Sequence, residues 1–163
     1  RTALDERGIE RISVVDTDVH QGNGTARIFQ GEPRVFTFSI HQENNYPLKE
    51  ESDLDIGLED GTSDAEYLEE LKRGLEASVH KRKPQLVLYV AGADPFREDQ
   101  LGGLGLTLEG LRKRDRVVLE AAHAVGANVV ILLAGGYARR VEDTVTIHVQ
   151  TAEEMLRLWP IHA

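Results

Sequence analysis

Two aspartates and a histidine occupy alternate positions just after an apolar run near the start of the chain. The stretch RISVVDTDVHQGNG, residues 11–24, contains Asp16, Asp18 and His20 in this order. Alternate side chains of an extended segment share a face, so Asp18 and His20, about 6.6 Å apart along the backbone, could bind one ion between them. Asp16 would lie ~13 Å from His20, too far to share that ion unless the chain bends sharply. We therefore expect Asp18 and His20 to be metal ligands and Asp16 to have another role.

A catalytic zinc ion usually has three protein ligands and one open position, so a third ligand is needed. The chain has no cysteine, and Asp94, in AGAD directly after a later apolar run, is the candidate. An Asp–His–Asp set is rich in hard oxygen donors and suits zinc, or iron(II) when it is available. Each residue alone has a structural explanation, as a helix cap or a core histidine. A buried carboxylate pair without a cation would, however, be costly in desolvation and repulsion.

Two further residues have side chains that could act at the same site. Tyr137 follows two glycines in LLAGGY, where its hydroxyl could donate a hydrogen bond to an oxyanion or its ring could simply pack on a turn. His41, in SIHQ, is either a further ligand or a structural residue of a loop. The G-x-G of QGNG is not followed by the third glycine of a dinucleotide-binding fingerprint, so that motif is excluded.

The candidate residues follow segments that read as buried strands, and helices alternate with these strands. Ser63 and Glu66 have capping-box spacing before one helix, Thr107 is the predicted N-cap of the next, and a last helix is predicted to begin after Thr151. This alternation predicts an α/β fold with a mainly parallel sheet and helices on both faces. Parallel strands place their carboxyl ends along one edge, where such folds bind ligands. The predicted strands are residues 11–15, 34–40, 86–92 and 128–135, with residues 41–61 irregular.

Length and charge limit the classes of protein to which the chain can belong. Its 163 residues are enough for one domain with a hydrophobic core. The formal net charge of −9 disfavours direct binding to nucleic acid. No signal peptide and no apolar stretch of the ~20 residues needed to span a bilayer occur in the sequence. We therefore expect a cytoplasmic protein without a membrane partner.

Five motifs, in this order and spacing, resemble the histone deacetylase family, above all its class IV branch and bacterial relatives. They are DTDVHQGNGT, FSIHQ, YPLKEES, AGADPFREDQLGGLGLT and LLAGGY. The resemblance implies an arginase/deacetylase-like fold and a role for seven residues. Asp18, His20 and Asp94 match the zinc ligands, Tyr137 the catalytic tyrosine, Asp16 and Ser39 the surroundings of a structural potassium ion, and Tyr46 an aromatic residue of the acyl-lysine tunnel.

The activity implied by the resemblance is zinc-dependent hydrolysis of N-acyl-lysine or of a related acylated amine. The family's general acid/base is a tandem histidine pair upstream of the DTDVH strand, and no HH occurs in this chain. The resemblance therefore implies that residues 1–163 are the carboxyl-terminal portion of a single deacetylase domain. An unpaired sheet edge on the first strands would expose apolar surface and favour an oligomer.

Two alternatives remain open on the sequence. The chain could be a degenerate module that binds zinc or acyl-lysine but lacks the general base. It could also be a magnesium-dependent aspartyl-phosphate phosphatase, because D-x-D after an apolar strand opens that active site too. His20 and the two residues after it are a poor match for the small hydroxyl residue that such phosphatases require.

Overall fold

Five strands form one sheet in the computed structural model, which describes residues 2–160. All neighbouring strands are parallel, in the order β3-β2-β1-β4-β5, which confirms the predicted fold class. The first strand lies at the centre of the sheet, so the expectation of an unpaired edge on the first strands is wrong. The strands are β1 (Ile12–Asp16), β2 (Val35–Gln42), β3 (Leu54–Leu58), β4 (Leu86–Gly92) and β5 (Asn128–Ala134).

A helix lies in every connection between successive strands except that from β2 to β3, and the capping predicted for two of the helices is present. Ser63 Oγ accepts from the amide of Glu66, whose carboxylate accepts from the amide of Ser63, and Thr107 Oγ1 accepts from the amide of Gly110. Within residues 2–160 no helix combines the length and the apolar character needed to cross a bilayer. The helices are α1 (Thr2–Glu6), α2 (Asn23–Phe29), α3 (Asp64–Leu75, continued by a π-helical segment Glu76–Lys81), α4 (Leu108–Ala124) and α5 (Val141–Leu158).

Both faces of the sheet are apolar, and alternate strand residues divide between them. Val15 and its neighbours across β2 and β4 point to the larger core, which α3, α4 and α5 cover. Val14 points to the opposite face, where Leu4 of α1 and Phe29 of α2 pack. On edge strand β5, Val130 and Leu132 remain about half exposed. The helices therefore cover one face more completely than the other.

Two local predictions are wrong, those for residues 41–61 and for the start of α5, and helix α2 was not predicted at all. Strand β3 lies inside the segment predicted to be irregular, since Leu54, Ile56 and Leu58 alternate with polar or small residues as in a half-buried edge strand. Helix α2 begins without a side-chain cap, so no capping signal marks it. Helix α5 begins at Val141, ten residues before the predicted start at Thr151, which instead lies inside the helix.

Candidate metal centre

The segment after β1 bends, and this bend brings Asp18 and His20 together. β1 ends at Asp16, so these residues do not lie on the extended strand that the alternation predicted. Asp16 Oδ1 accepts from the amide of Asp18 at 3.1 Å, and Asp18 Oδ1 accepts from the amide of His20 at 2.9 Å. Each aspartate thus accepts a hydrogen bond from the amide two residues later, as Asp does in tight turns. The prediction that the two residues share an extended face is wrong, although they are in contact.

Asp94 joins this pair from the loop that follows β4. Its Oδ1 accepts from the amide of Val19 at 2.9 Å, and its Oδ2 lies 3.3 Å from His20 Nδ1. The same His20 nitrogen lies 3.0 Å from Asp18 Oδ1. Among the described residues, Asp18, His20 and Asp94 are the one group of three or more His and acidic side chains whose ligand atoms all lie within 4.8 Å of one another. Asp94 is therefore not a helix cap but a link between two strand ends.

The spacing of these ligand atoms fits a tetrahedral metal ion. Bonds of about 2.1 Å from zinc to nitrogen and oxygen place neighbouring ligand atoms ~3.4 Å apart in tetrahedral geometry. The separations of His20 Nδ1 from the two carboxylates, 3.0 and 3.3 Å, are close to this value. One nitrogen and two carboxylate oxygens are also donors that zinc accepts. The three residues therefore fit a divalent cation in both chemistry and size.

Burial and mutual repulsion raise the pKa values of two carboxyl groups here. Burial raises the pKa of Asp94 to about 7, and the nearby Asp18 charge adds to the rise. Burial also raises the pKa of Asp16 to about 7. The hydrogen bond from the Asp18 amide lowers this pKa, whereas the charges of Asp18 and Asp94 raise it. Positive charge among these groups would stabilise their ionised forms. The site thus has an excess of buried acidic groups that a cation would neutralise.

Two glycines allow the loops to approach the ligands closely. A Cβ on Gly92 would lie 2.5 Å from Asp18 Cα and 2.8 Å from Asp94 Oδ1. Gly135, after β5, has a φ of 60°, and a Cβ there would lie 2.4 Å from Asp94 Cγ and Oδ2. Side chains at either position would displace a candidate ligand. The backbone at the end of β5 therefore lies directly beside the Asp94 carboxylate.

Asp16 and Ser39 lie side by side on β1 and β2, next to the three candidate ligands. The two residues are partners in the parallel pairing. Ser39 Oγ is 3.0 Å from His41 Nδ1 and accepts from the amide of Gly22 at 3.4 Å. His41 is buried, which lowers its pKa, and its neighbour is Ser39 rather than the metal cluster. This arrangement favours the structural interpretation of His41.

Two tyrosines flank the cluster with largely exposed side chains. Tyr46 is 77% exposed, and its ring centroid lies 6.2 Å from that of His20 in an edge-to-face arrangement. Tyr137 is 62% exposed and lies two residues after Gly135, the position at which an added Cβ would meet the Asp94 carboxylate. Both side chains are therefore accessible to a bound molecule.

Sequence reasoning missed several residues that support the site. Arg114, on α4, is fully buried and donates through Nη1 to the carbonyl of Gly92 at 2.5 Å. Its charge is balanced by Asp115, which accepts from Arg114 Nη2 at 2.8 Å and from Tyr89 Oη at 2.5 Å. Both charges lie in RKRDR, a run that reads as a solvated helix face, so no local signal marks them as buried. Asp99, in AGADPFREDQLGGLGLT after β4, is likewise marked by no local signal as a residue of the site.

Comparison with known proteins matches the chain to the histone deacetylase domain and to similar proteins of other organisms. A sequence model of the histone deacetylase domain matches residues 1–152. The chain is 48% identical over 147 residues to an uncharacterised protein of Picosynechococcus sp., covering 89% of this chain and 49% of that protein. It is 32% identical over 146 residues to a histone deacetylase-like amidohydrolase of Pseudomonas aeruginosa, covering 80% of this chain and 38% of that protein.

Solved structures with the same fold include an acetylpolyamine aminohydrolase from Burkholderia pseudomallei. The TM-score is 0.79 at 24% identity, over 96% of this chain and 48% of that chain. The chain thus spans about half the length of the relatives that it matches, or less. Because the family model covers nearly the whole sequence, the chain belongs to the histone deacetylase family.

Proposed function

We propose that the chain contributes the metal ligands and the oxyanion-stabilising tyrosine of a zinc-dependent deacylase, which hydrolyses N-acyl-lysine or a related acylated amine. The observation that carries this proposal is the set of three ligand atoms, from Asp18, His20 and Asp94, within 4.8 Å of one another. The deacetylase relatives support the reaction class. The chain spans about half the length of these relatives or less, so the activity is proposed for the whole protein that contains it.

The residues of the site have separate roles in this reaction. When bound, zinc supplies Lewis-acid polarisation of the amide carbonyl and lowers the pKa of water. Asp18, His20 and Asp94 hold that ion, and Asp94 also holds the Asp18–His20 segment through its bond to the Val19 amide. The Tyr137 hydroxyl donates a hydrogen bond to the carbonyl oxygen as negative charge develops on it, an interaction that is strongest in the transition state. Tyr46 lines the path of the acyl-bearing side chain beside His20.

We also propose that Asp16 and Ser39 would help to hold a structural potassium ion. Asp16 is buried and next to Ser39, and burial raises its pKa to about 7. A potassium ion at this position would keep Asp16 ionised and so fix the start of the turn that carries Asp18. This role explains why Asp16 is placed beside the ligand set while its own Oδ1 accepts from the Asp18 amide.

A binding module without catalysis is the alternative favoured by a specific observation. Hydrolysis needs a base that removes a proton from water, and the sequence contains no tandem histidine. The chain would then bind zinc and an acylated amine without releasing a carboxylate.

Zinc titration and a deacylation assay, both on the whole protein that contains this chain, separate these possibilities. We expect one equivalent of zinc, release of acetate from an acetyl-lysine peptide, loss of that activity with a chelator and its recovery with zinc. Tyr137→Phe should keep the zinc and reduce kcat by about 100-fold or more. Zinc and peptide binding without acetate release would identify the module, and magnesium-dependent hydrolysis of a phosphate ester without zinc binding would overturn the proposal.

A further inference from the structure

Asp99 is a buried carboxylate that joins two loops at the candidate site. The residue is 7% exposed. Its Oδ1 accepts from the amides of Leu101, at 2.8 Å, and Gly102, at 3.0 Å. Its Oδ2 accepts from the amide of Tyr137 at 2.6 Å. One side chain in the loop after β4 thus holds the backbone of the loop after β5.

The backbone carbonyl of Tyr137 is held by Gln100, the residue after Asp99. Gln100 donates to the Tyr137 carbonyl through its amide, at 3.1 Å, and through Nε2, at 3.0 Å. Asp99 also forms an antiparallel bridge with Ala138. Because the Tyr137 side chain is 62% exposed, these backbone bonds rather than packing around the ring determine where the residue stands.

We propose that Asp99 is a positioning residue for Tyr137, setting where its hydroxyl lies relative to the metal ligands. The inference rests on the proposed function for the task of the hydroxyl, whereas the bonds that hold the backbone do not depend on it. The loop after β4 that carries Asp99 also contains Asp94. We call the hydrogen bonds of Asp99 and Gln100 to the Tyr137 backbone the clamp. The clamp therefore joins Tyr137 to the loop that contains the candidate metal ligand Asp94.

The chemistry of an aspartate suits this task. An ionised carboxylate is an acceptor only and has enough lone pairs for three N–H donors. Hydrogen bonds to a charged acceptor are shorter and stronger than neutral ones, in line with the 2.6 Å bond to Tyr137. An asparagine of the same shape would have to turn an NH₂ group toward one of these donors. Asp99→Asn therefore weakens the clamp with minimal change in volume.

Glu98→Gln is a matched control, because it removes a charge from the adjacent position and leaves the contacts of Asp99 in place. The Glu98 carboxylate is half exposed, 3.9 Å from Arg139 Nε. The first measurement is hydrogen exchange and the NMR shift of the Tyr137 amide in the full chain. We expect a protected, downfield amide in the wild type and in Glu98→Gln, and exchange at least about tenfold faster in Asp99→Asn. Zinc affinity should stay within about threefold in all three proteins, because the ligands are unchanged.

The second measurement is a double-mutant cycle with Tyr137→Phe in the deacylation assay. Asp99→Asn should reduce kcat by about 10- to 100-fold with little change in KM, because displacement of a catalytic group by ~1 Å has effects of this size. In the Tyr137→Phe background the same substitution should have almost no further effect, because a positioning residue acts through the group it holds.

The outcomes keep this inference separate from the proposed function. Equal losses of kcat in both backgrounds would assign Asp99 to the fold alone and overturn the inference. An unprotected Tyr137 amide in the wild type would overturn it as well, and this measurement needs no variant to fold. Zinc binding with a protected amide but without wild-type acetate release would overturn the deacylase proposal and leave the clamp as a structural bond.

Discussion

Asp94 accepts a hydrogen bond through Oδ1 from the backbone amide of Val19, the residue between Asp18 and His20. Its other oxygen, Oδ2, lies 3.3 Å from His20 Nδ1. One carboxylate therefore both joins the ends of β1 and β4 and contributes a ligand atom to the cluster. The two tasks can be separated by choosing the substitution.

Asp94→Asn should weaken zinc binding by more than about 100-fold while the protein stays folded. Asparagine keeps an oxygen that can accept from the Val19 amide but loses the charge that attracts the cation. Asp94→Ala should lose zinc affinity and also part of the stability, because it leaves that buried amide without a partner. Isothermal titration with zinc and urea denaturation measure the two effects. Asp143→Asn, on α5, is the control, and unchanged zinc stoichiometry in Asp94→Asn would contradict the ligand assignment.

Gly135→Ala should disturb the metal centre, and Gly126→Ala should not. Both glycines have positive φ angles, 60° and 71°, so each substitution should cost about 1–2 kcal/mol of stability. An added Cβ meets nothing within 4 Å at Gly126, whereas at Gly135 it would lie 2.4 Å from Asp94 Cγ and Oδ2. We expect zinc affinity to fall at least about tenfold in Gly135→Ala alone. Equal zinc affinities of the two variants, measured by competition with a chromophoric chelator, would show that this contact is unimportant.

Asp115→Asn should destabilise the fold strongly, because it leaves the Arg114 guanidinium buried without its counter-charge. Asp115 accepts from Arg114, Tyr89 and Thr151, and both charged residues are fully buried. Breaking such a pair from one side costs about 3–5 kcal/mol. Glu109→Gln, in an exposed pair with Lys113 on the same helix, should cost less than about 1 kcal/mol. Urea denaturation compares the two variants, and similar midpoints would argue against a stabilising role for the buried pair.

Glu154 should stabilise the packing of α5 on α4 in a pH-dependent way. Its side chain is 1% exposed and accepts from Arg116, Arg112 and Arg157, and these bonds lower its pKa from 4.5 to about 2. A carboxyl group whose pKa is lower in the folded state stabilises the fold at pH values above its unfolded-state pKa. This contribution is lost as the pH falls toward the folded-state pKa.

We therefore expect Glu154→Gln to lower the free energy of unfolding near neutral pH by up to about 3 kcal/mol. The difference from the wild type should shrink between about pH 4.5 and about pH 2, because both proteins then carry a neutral group at this position. Urea denaturation at several pH values checks this expectation. If the difference in the free energy of unfolding between the two proteins does not change with pH over that range, the bonds to the arginines do not make the stability depend on the ionisation of Glu154.

Local patterns predicted the strands β1, β2, β4 and β5 and the starts of α3 and α4, because their signals lie within a few residues of one another. Strand β3 and helix α2 lack such signals, since one is an edge strand with a mixed pattern and the other has no side-chain cap. The capping-box interpretation of Thr151 and Glu154 fails for a different reason. Thr151 donates to Asp115, and Glu154 accepts from arginines, so both residues serve contacts with α4 rather than a helix start.

The sequence by itself determined which side chains stand at the carboxyl ends of the strands, because residue types and strand periodicity are local properties. Asp18, His20 and Asp94 could be grouped on this basis, since parallel strands end along one edge. Only the tertiary structure decided how they meet, through a bend after β1 and a bond from Val19 to Asp94. It alone also decided that Asp99 holds Tyr137, because a hydrogen bond between two loops depends on how distant segments pack.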